Sequence, residues 1–211
     1  HQAMAPYLAG LAGFHAIALD LTDHAGFADL VSLWRPDVVI NLAAHSAVGS
    51  SWQMPERVRA LNADAVAAQL EALLSLRAAA GVEVRYVQAS SAEEFGDATS
   101  SPYAQAKTAA REAVIAARSA GLYACAAVLH PHESPIRRET FVVRKISRGA
   151  AAIAHGSASS LTLGKLDVTR DWSYAGDLVA ALARMALLDA PEDLVLASGT
   201  LHTLHDVVAL R

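Results

Sequence analysis

Short apolar runs rich in β-branched residues alternate along this chain with longer stretches whose apolar positions recur at helical spacing. The short runs His15–Leu19, Val38–Leu42, Val84–Gln88, Ala124–Leu129 and Leu194–Ala197 read as strands. Alternating with stretches at helical period, they predict strands of a sheet covered on both faces. Gly26–Trp34, Val58–Ala80 and Tyr103–Ala120 read as helices, the second closing on Gly81. Strands alternating with helices in this way predict an α/β fold, a Rossmann-like doubly wound parallel sheet with helices on both faces.

In open sheets of this kind ligands sit beyond the carboxyl ends of the strands. The residues there are polar: Asp20-Leu21-Thr22-Asp23, Ala43-Ala44-His45-Ser46, Ala89-Ser90-Ser91-Ala92-Glu93 and His130-Pro131-His132-Glu133. A dinucleotide fold also opens with a strand and a glycine turn that lets phosphate approach a helix N-terminus. Gly10-Leu11-Ala12-Gly13 has no strand before it and no long helix after it. The expectation is an N-terminal strand-helix unit that is missing, either because the chain is a fragment or because the cofactor site is incomplete.

Composition narrows the classes. At 211 residues and 54% hydrophobic the chain can bury one substantial core with a small lobe. A net charge of -4 supplies no basic surface for a nucleic-acid partner. Leu70–Leu76 and Leu178–Leu188 are interrupted by Glu71 and Arg184 and fall short of the roughly 18–20 apolar residues of a membrane span. His1–Gly10 does not read as a secretory signal. The single cysteine, Cys125, excludes an intrachain disulfide and suits a reducing cytoplasm; its apolar run, Leu122–Leu129, predicts a buried thiol. His130 and His132 lack the further ligand spacing of a zinc site, so no metal is expected.

Tyr103 and Lys107, four apart at a predicted helix start, rise from one face a turn apart. A tyrosine is a poor base at neutral pH unless a neighbouring ammonium favours its phenolate. On its own such a pair is common in amphipathic helices. Here it follows a strand end carrying Ser91 and Glu93, so a hydroxyl, a carboxylate and the Tyr-Lys pair converge.

A Ser/Thr after a strand with Tyr-x-x-x-Lys on the next helix resembles the extended short-chain dehydrogenases, and Glu93 points to the dehydratases among them. Asp20-Leu21-Thr22-Asp23, Asn41-Leu42-Ala43-Ala44-His45-Ser46, Gln88-Ala89-Ser90, His132-Glu133-Ser134-Pro135, Glu139-Thr140-Phe141-Val142, Arg144-Lys145-Ile146, Arg170-Asp171-Trp172 and Pro191-Glu192-Asp193 resemble, in order, segments of the GDP-mannose 4,6-dehydratases. The resemblance implies an internal redox reaction on a nucleotide sugar such as GDP-mannose: hydride from C4 to NADP (NAD being the alternative), loss of water across C5 and C6, and return of the hydride to C6.

Carried over, Tyr103 would take the C4 hydroxyl proton, Lys107 would tune it and hold the nicotinamide ribose, Ser91 would hold the hydroxyl, and Glu93 would remove the C5 proton. Asp20 and Leu21 would meet the adenine end, Leu42, Ala43, Ala44, His45 and Ser46 the dinucleotide, and His132 and Arg137 would complete the cofactor site. Asp20 reads equally as a turn or cap residue. Glu139, Lys145 and Arg170 would bind substrate, the two basic residues meeting its diphosphate or else lying solvated. The resemblance also implies a homodimer or homotetramer, with a dinucleotide-binding part over 1–130 and 167–190 and a substrate-binding part over 131–166 and 191–211.

The chain departs from the family in the missing glycine turn and the missing arginine region that would select NADP. The segment Gly96–Pro102 is shorter than the family's, which leaves an open wall as the expectation. Pro131 stands where the family has asparagine, and Ile136 and Arg138 alter a Pro-Arg-Arg-Gly run. Three readings follow: an active dehydratase, an epimerase or reductase on another nucleotide sugar that has no need of Glu93, and a non-catalytic fragment that binds no cofactor.

Overall fold

A computed structural model describes residues 11–95 and 101–210. In chain order they form α1 (His24–Trp34), β1 (Val38–Asn41), α2 (Val48–Ser51), α3 (Pro55–Arg59), a π-helical turn (Ala60–Asp64), α4 (Ala65–Ala80), β2 (Arg85–Ala89), a 3-10 turn (Ala92–Phe95) and α5 (Pro102–Ser119). There follow β3 (Tyr123–Leu129), β4 (His132–Glu133), α6 (Val142–Ala154), β5 (Thr169–Asp171), β6 (Ser173–Tyr174), α7 (Ala175–Met185), β7 (Leu194–Leu196), β8 (Leu201–Thr203) and α8 (Leu204–Ala209).

The main sheet is parallel, in the order β1-β2-β3-β7, with Ile40 opposite Val87, Val87 opposite Cys125 and Val128 opposite Val195. Strand side chains point alternately to the two faces, and each face has its own helical cover. Tyr86, Ala124 and Ala126 join Leu70, Leu73 and Val114 of α4 and α5 in one cluster, whereas Val87, Cys125 and Ala127 join Leu182 and Met185 of α7 in another. This is the doubly wound architecture. Burial pushes the Cys125 thiol up to about 11, consistent with the inert thiol expected from its run.

Helix ends follow local chemistry. Asp23 caps α1 by accepting from the Gly26 amide, and α4 stops at Gly81, which takes φ +64. Ser101 caps α5 through the Ala104 amide, with Pro102 in the first helical position, where a missing N–H costs nothing.

Two expectations are corrected. His15–Leu19 has no regular secondary structure and joins no ladder, because a strand exists only where a neighbouring strand satisfies its backbone groups, and among the described residues none pairs with it. The helix expected over Val58–Ala80 starts earlier, at Pro55, and is opened by the π turn at Ala60–Asp64. Leu194–Leu196 hydrogen-bonds along β3 and so belongs to the main sheet, while Thr169–Asp171 pairs antiparallel with Leu201–Thr203 outside it. The apolar pattern also left α6 and α7, and the short α2 and α8, unassigned.

Candidate active site

A cavity of about 540 Å³ opens at the carboxyl ends of β1, β2 and β3. It takes Leu42, Ala44 and Ser46 from beyond β1, Ser91 and Glu93 from beyond β2, Tyr103 and Lys107 from α5, and His132 and Arg137 from beyond β3. Arg170, on β5, closes it from the side of the smaller sheets. Ten of the residues singled out from the sequence therefore share one cavity.

Ser91, Tyr103 and Lys107 are buried. Lys107 is 3% exposed and donates from Nζ to the Ala89 carbonyl at 2.7 Å, which holds its ammonium over the end of β2. The same Nζ lies 5.9 Å from the centre of the Tyr103 ring. Burial raises the Tyr103 phenol above its ordinary value; a hydrogen bond with the Ser91 side chain lowers it, the Glu93 and Glu94 carboxylates raise it, and Arg137 lowers it. Ser91 in turn accepts the Glu93 amide at 3.3 Å. Glu93 is the open member of the group, with a side chain 39% exposed and 4.0 Å from the Arg170 guanidinium.

Burial also pushes Lys107 down to about 8, partly opposed by the Glu94 carboxylate. A lysine whose folded value lies below its unfolded one binds fewer protons when folded, so stability is lost as pH falls toward the folded value. The unfolding free energy, measured by urea denaturation relative to Lys107→Met, is expected to rise by on the order of 3 kcal/mol from about pH 8 to pH 10.5.

The Leu42–Ser46 segment is held from behind. Asn62, 1% exposed in the π turn, accepts the His45 amide at 2.8 Å and donates to the His45 carbonyl at 2.9 Å. π turns recur at functional sites, and this one places the clamp. Nothing in the local pattern of Ala60–Asp64 distinguishes Asn62 from any polar helix residue. Its partner lies 17 residues away.

Other expected residues stand elsewhere. Along the extended segment alternate side chains face the cavity, so Ala43 and His45 are turned from it; the His45 ring meets Ser50 at 2.8 Å. Asp20 and Leu21 also lie off the cavity. The Asp20 carboxylate accepts from both the amide and the hydroxyl of Thr22, bonds that hold it below its ordinary range in a tight turn. Glu139 pairs with Arg148 at 3.0 Å on the exposed side of α6, and Lys145 donates to the Thr162 carbonyl at 2.8 Å. The Gly10-Gly13 turn is described only from Leu11; Gly13 takes φ +76 and extended chain follows, not a helix. Most of Gly96–Pro102 lies outside the described residues.

The sequence reading assigned no role to Glu133, although it lies in the quoted His-Glu-Ser-Pro segment. It lines the cavity and meets Arg137 at 3.5 Å; burial raises its carboxyl and Arg137 lowers it. Arg137 itself stacks 3.4 Å over the Phe141 ring. Asp171, from the quoted Arg-Asp-Trp segment, has a structural part. It accepts from the Ser198 amide and hydroxyl and from the Gly199 amide, at 2.7–2.9 Å, and ties β5 to the loop after β7.

A tyrosine and lysine on one helix face, opposite a serine and a carboxylate at a strand end, form an acid-base arrangement on a dinucleotide-binding type of sheet. The model of the GDP-mannose 4,6 dehydratase family matches residues 7–211. The chain belongs to that family.

A GDP-mannose 4,6 dehydratase of Arabidopsis thaliana is 38% identical over 199 residues, 89% of this chain and 53% of its own length. That of Vibrio cholerae is 38% identical over 204 residues, 90% of this chain and 54% of its own. The chain thus spans about half the length of these curated relatives. Among solved structures, Pseudomonas aeruginosa RMD complexed with NADPH superposes with a TM-score of 0.81 at 24% identity, covering 98% of this chain and 77% of that one. A Streptomyces venezuelae dTDP-glucose 4,6-dehydratase with bound NAD superposes at 0.83 and 19% identity, covering 99% and 66%. At these identities the structures establish the shared fold.

Proposed function

We propose that this chain is the catalytic part of a nucleotide-sugar 4,6-dehydratase that converts GDP-mannose to its 4-keto-6-deoxy form with NADP as internal redox carrier. The observation that carries the reading is the convergence of Ser91, Glu93, Tyr103 and Lys107 on one cavity at the carboxyl ends of the strands.

The residues present suit the nicotinamide half of the cofactor. Leu42, Ala44 and Ser46 offer a mainly apolar wall, and Lys107 brings a buried cation beside Tyr103. His132 and Arg137 stand at the opposite wall. Among the described residues no glycine turn leads into a helix N-terminus beside the cavity. The adenine assignment of Asp20 and Leu21 rests on family resemblance alone, as do the dinucleotide assignment of Ala43 and His45 and the substrate assignments of Glu139 and Lys145. NADP, when bound, supplies the hydride acceptor and donor.

The chain's own residues supply the proton chemistry. Tyr103 takes the proton of the sugar C4 hydroxyl while Ser91 holds that oxygen. The Lys107 ammonium stabilises the phenolate in a dry site, where charge interactions are stronger than in water. Glu93 removes the C5 proton, a step made easier by a carbonyl at C4. Arg170, beside Glu93 and partly exposed, can pair with a substrate phosphate.

We also propose a homodimer or homotetramer and a cytoplasmic location. These rest on the family and on the single buried cysteine; among the described residues no helix is long and apolar enough to cross a membrane. Incubation of the purified chain with NADP and GDP-mannose tests the main reading. Appearance of a 4-keto-6-deoxy sugar is expected. Cofactor bound to saturation with no keto-sugar formed would exclude dehydratase activity, and calorimetric titration showing no binding of either nicotinamide cofactor would leave the non-catalytic reading.

A further inference from the structure

The 3-10 turn Ala92–Phe95 carries two neighbouring carboxylates that go opposite ways. Glu93 lines the cavity; Glu94 does not, and its side chain, 2% exposed, is turned inward. One Glu94 oxygen accepts from the Ser90 hydroxyl at 2.8 Å, and the other faces Arg111 Nε at 3.6 Å. Arg111 lies one helical turn beyond Lys107, so both rise from the same face of α5. It also reaches Asp193 at 3.4 Å and stands 5.3 Å over the Phe95 ring. Asp193, just before β7, receives Arg118 at 2.7 Å and the Ala126 amide of β3 at 2.9 Å.

This chain of contacts joins the end of β2, the turn, α5, β3 and the entry to β7. The turn needs such a tie. None of its four residues is buried as a whole, and Phe95 is 59% exposed, so the turn has no apolar anchor of its own. A carboxylate this enclosed is costly unless paired, and burial raises the Glu94 carboxyl, with Ser90, Arg111 and Lys107 drawing it back.

We propose that Glu94 is a positioning residue: held by Ser90 and Arg111, it fixes the turn that presents Ser91 and Glu93 to Tyr103 and Lys107. The proposal rests on reading those four as the reacting set. Backbone evidence supports it, since the Glu94 amide donates to the Ser91 carbonyl at 3.1 Å and the Ser90 amide is bound to Ala127 of β3 at 2.8 Å. Movement at Glu94 is therefore passed directly to Ser91.

The test uses the full chain with Glu94→Ala, Glu94→Gln, Arg111→Met and the Glu94→Ala/Arg111→Met double variant, and two readouts. The first is hydrogen exchange of the amides of residues 91–95 without substrate, with Val87 and Cys125 as core references. In Glu94→Ala these turn amides are expected to exchange at least ~10-fold faster while the references stay protected. The second is turnover with GDP-mannose and NADP, where kcat should fall ~10-fold with KM held within ~2-fold, as expected when reacting groups are displaced by a fraction of an ångström. Glu94→Gln keeps an acceptor for Ser90 but sets an amide nitrogen against Arg111, so both effects should be smaller than in Glu94→Ala. Arg111→Met likewise leaves only the Ser90 bond and should resemble Glu94→Gln, and the double variant should be no worse than Glu94→Ala.

Unchanged exchange in the turn of Glu94→Ala overturns the proposal, as does a fall in kcat that Glu94→Gln shares in full. If Glu94→Ala does not fold, Glu94→Gln and Arg111→Met decide: accelerated exchange of the turn in either supports positioning, and parental exchange in both opposes it. The exchange measurement needs no turnover. A parent without activity would therefore count against the proposed function while Glu94 was still judged.

Discussion

Tyr103→Phe is expected to lower formation of the keto-sugar by ~10²–10⁴-fold, the range over which a positioned acid-base group contributes. The ring fills the same space, and the residue is 8% exposed and packed with Val58, Ala63 and Ala106, so folding should survive the loss of one hydroxyl. What disappears is the hydroxyl that meets Ser91 on a ring beside the buried Lys107 ammonium. Cofactor affinity, measured by calorimetry, should change by no more than a few-fold. A variant that retains a tenth or more of parental turnover would remove Tyr103 from the chemistry.

The second large effect concerns Glu93 and separates the steps of the reaction. Glu93→Gln is expected to abolish dehydration by a similar ~10²–10⁴-fold factor while leaving oxidation at C4 in place. The amide keeps the size of the carboxylate but cannot take a proton from C5. Reduced nicotinamide should then accumulate on the enzyme, visible by its absorbance, and C5 should no longer take up deuterium from solvent. The geometry favours this division of labour, because Glu93 is on the open side of the cavity near Arg170, whereas Tyr103 and Lys107 are enclosed. Full turnover by the variant would instead point to an epimerase or reductase, for which C5 deprotonation by Glu93 is unnecessary.

Both effects rest on groups that local sequence patterns expose. A continuous apolar run such as Ala124–Leu129 fits the inside of a covered sheet, and the polar residues after it then emerge at the carboxyl end. Ser101-Pro102 marks the start of α5 before any contact is known, and four-residue spacing places Tyr103 and Lys107 together on it. His15–Leu19 shows where this logic ends. Its composition is strand-like, but composition creates no ladder without a neighbour to bond.

The sequence alone therefore determined the α/β class, the main strands and helices, and the Ser-Glu-Tyr-Lys set, because each is written in residues a few positions apart. Only the tertiary structure decided which of the two adjacent carboxylates faces the cavity and which is turned inward to Ser90 and Arg111. It decided likewise that Leu42, Ala44 and Ser46 face the cavity while Ala43 and His45 do not, that Asn62 clamps that segment, and that Asp171 is a tie between loops. These outcomes depend on partners 17 or more residues away, as in the Asn62–His45 bonds. A side chain's role there is set by what packing brings opposite it, and that is not encoded in its own neighbourhood.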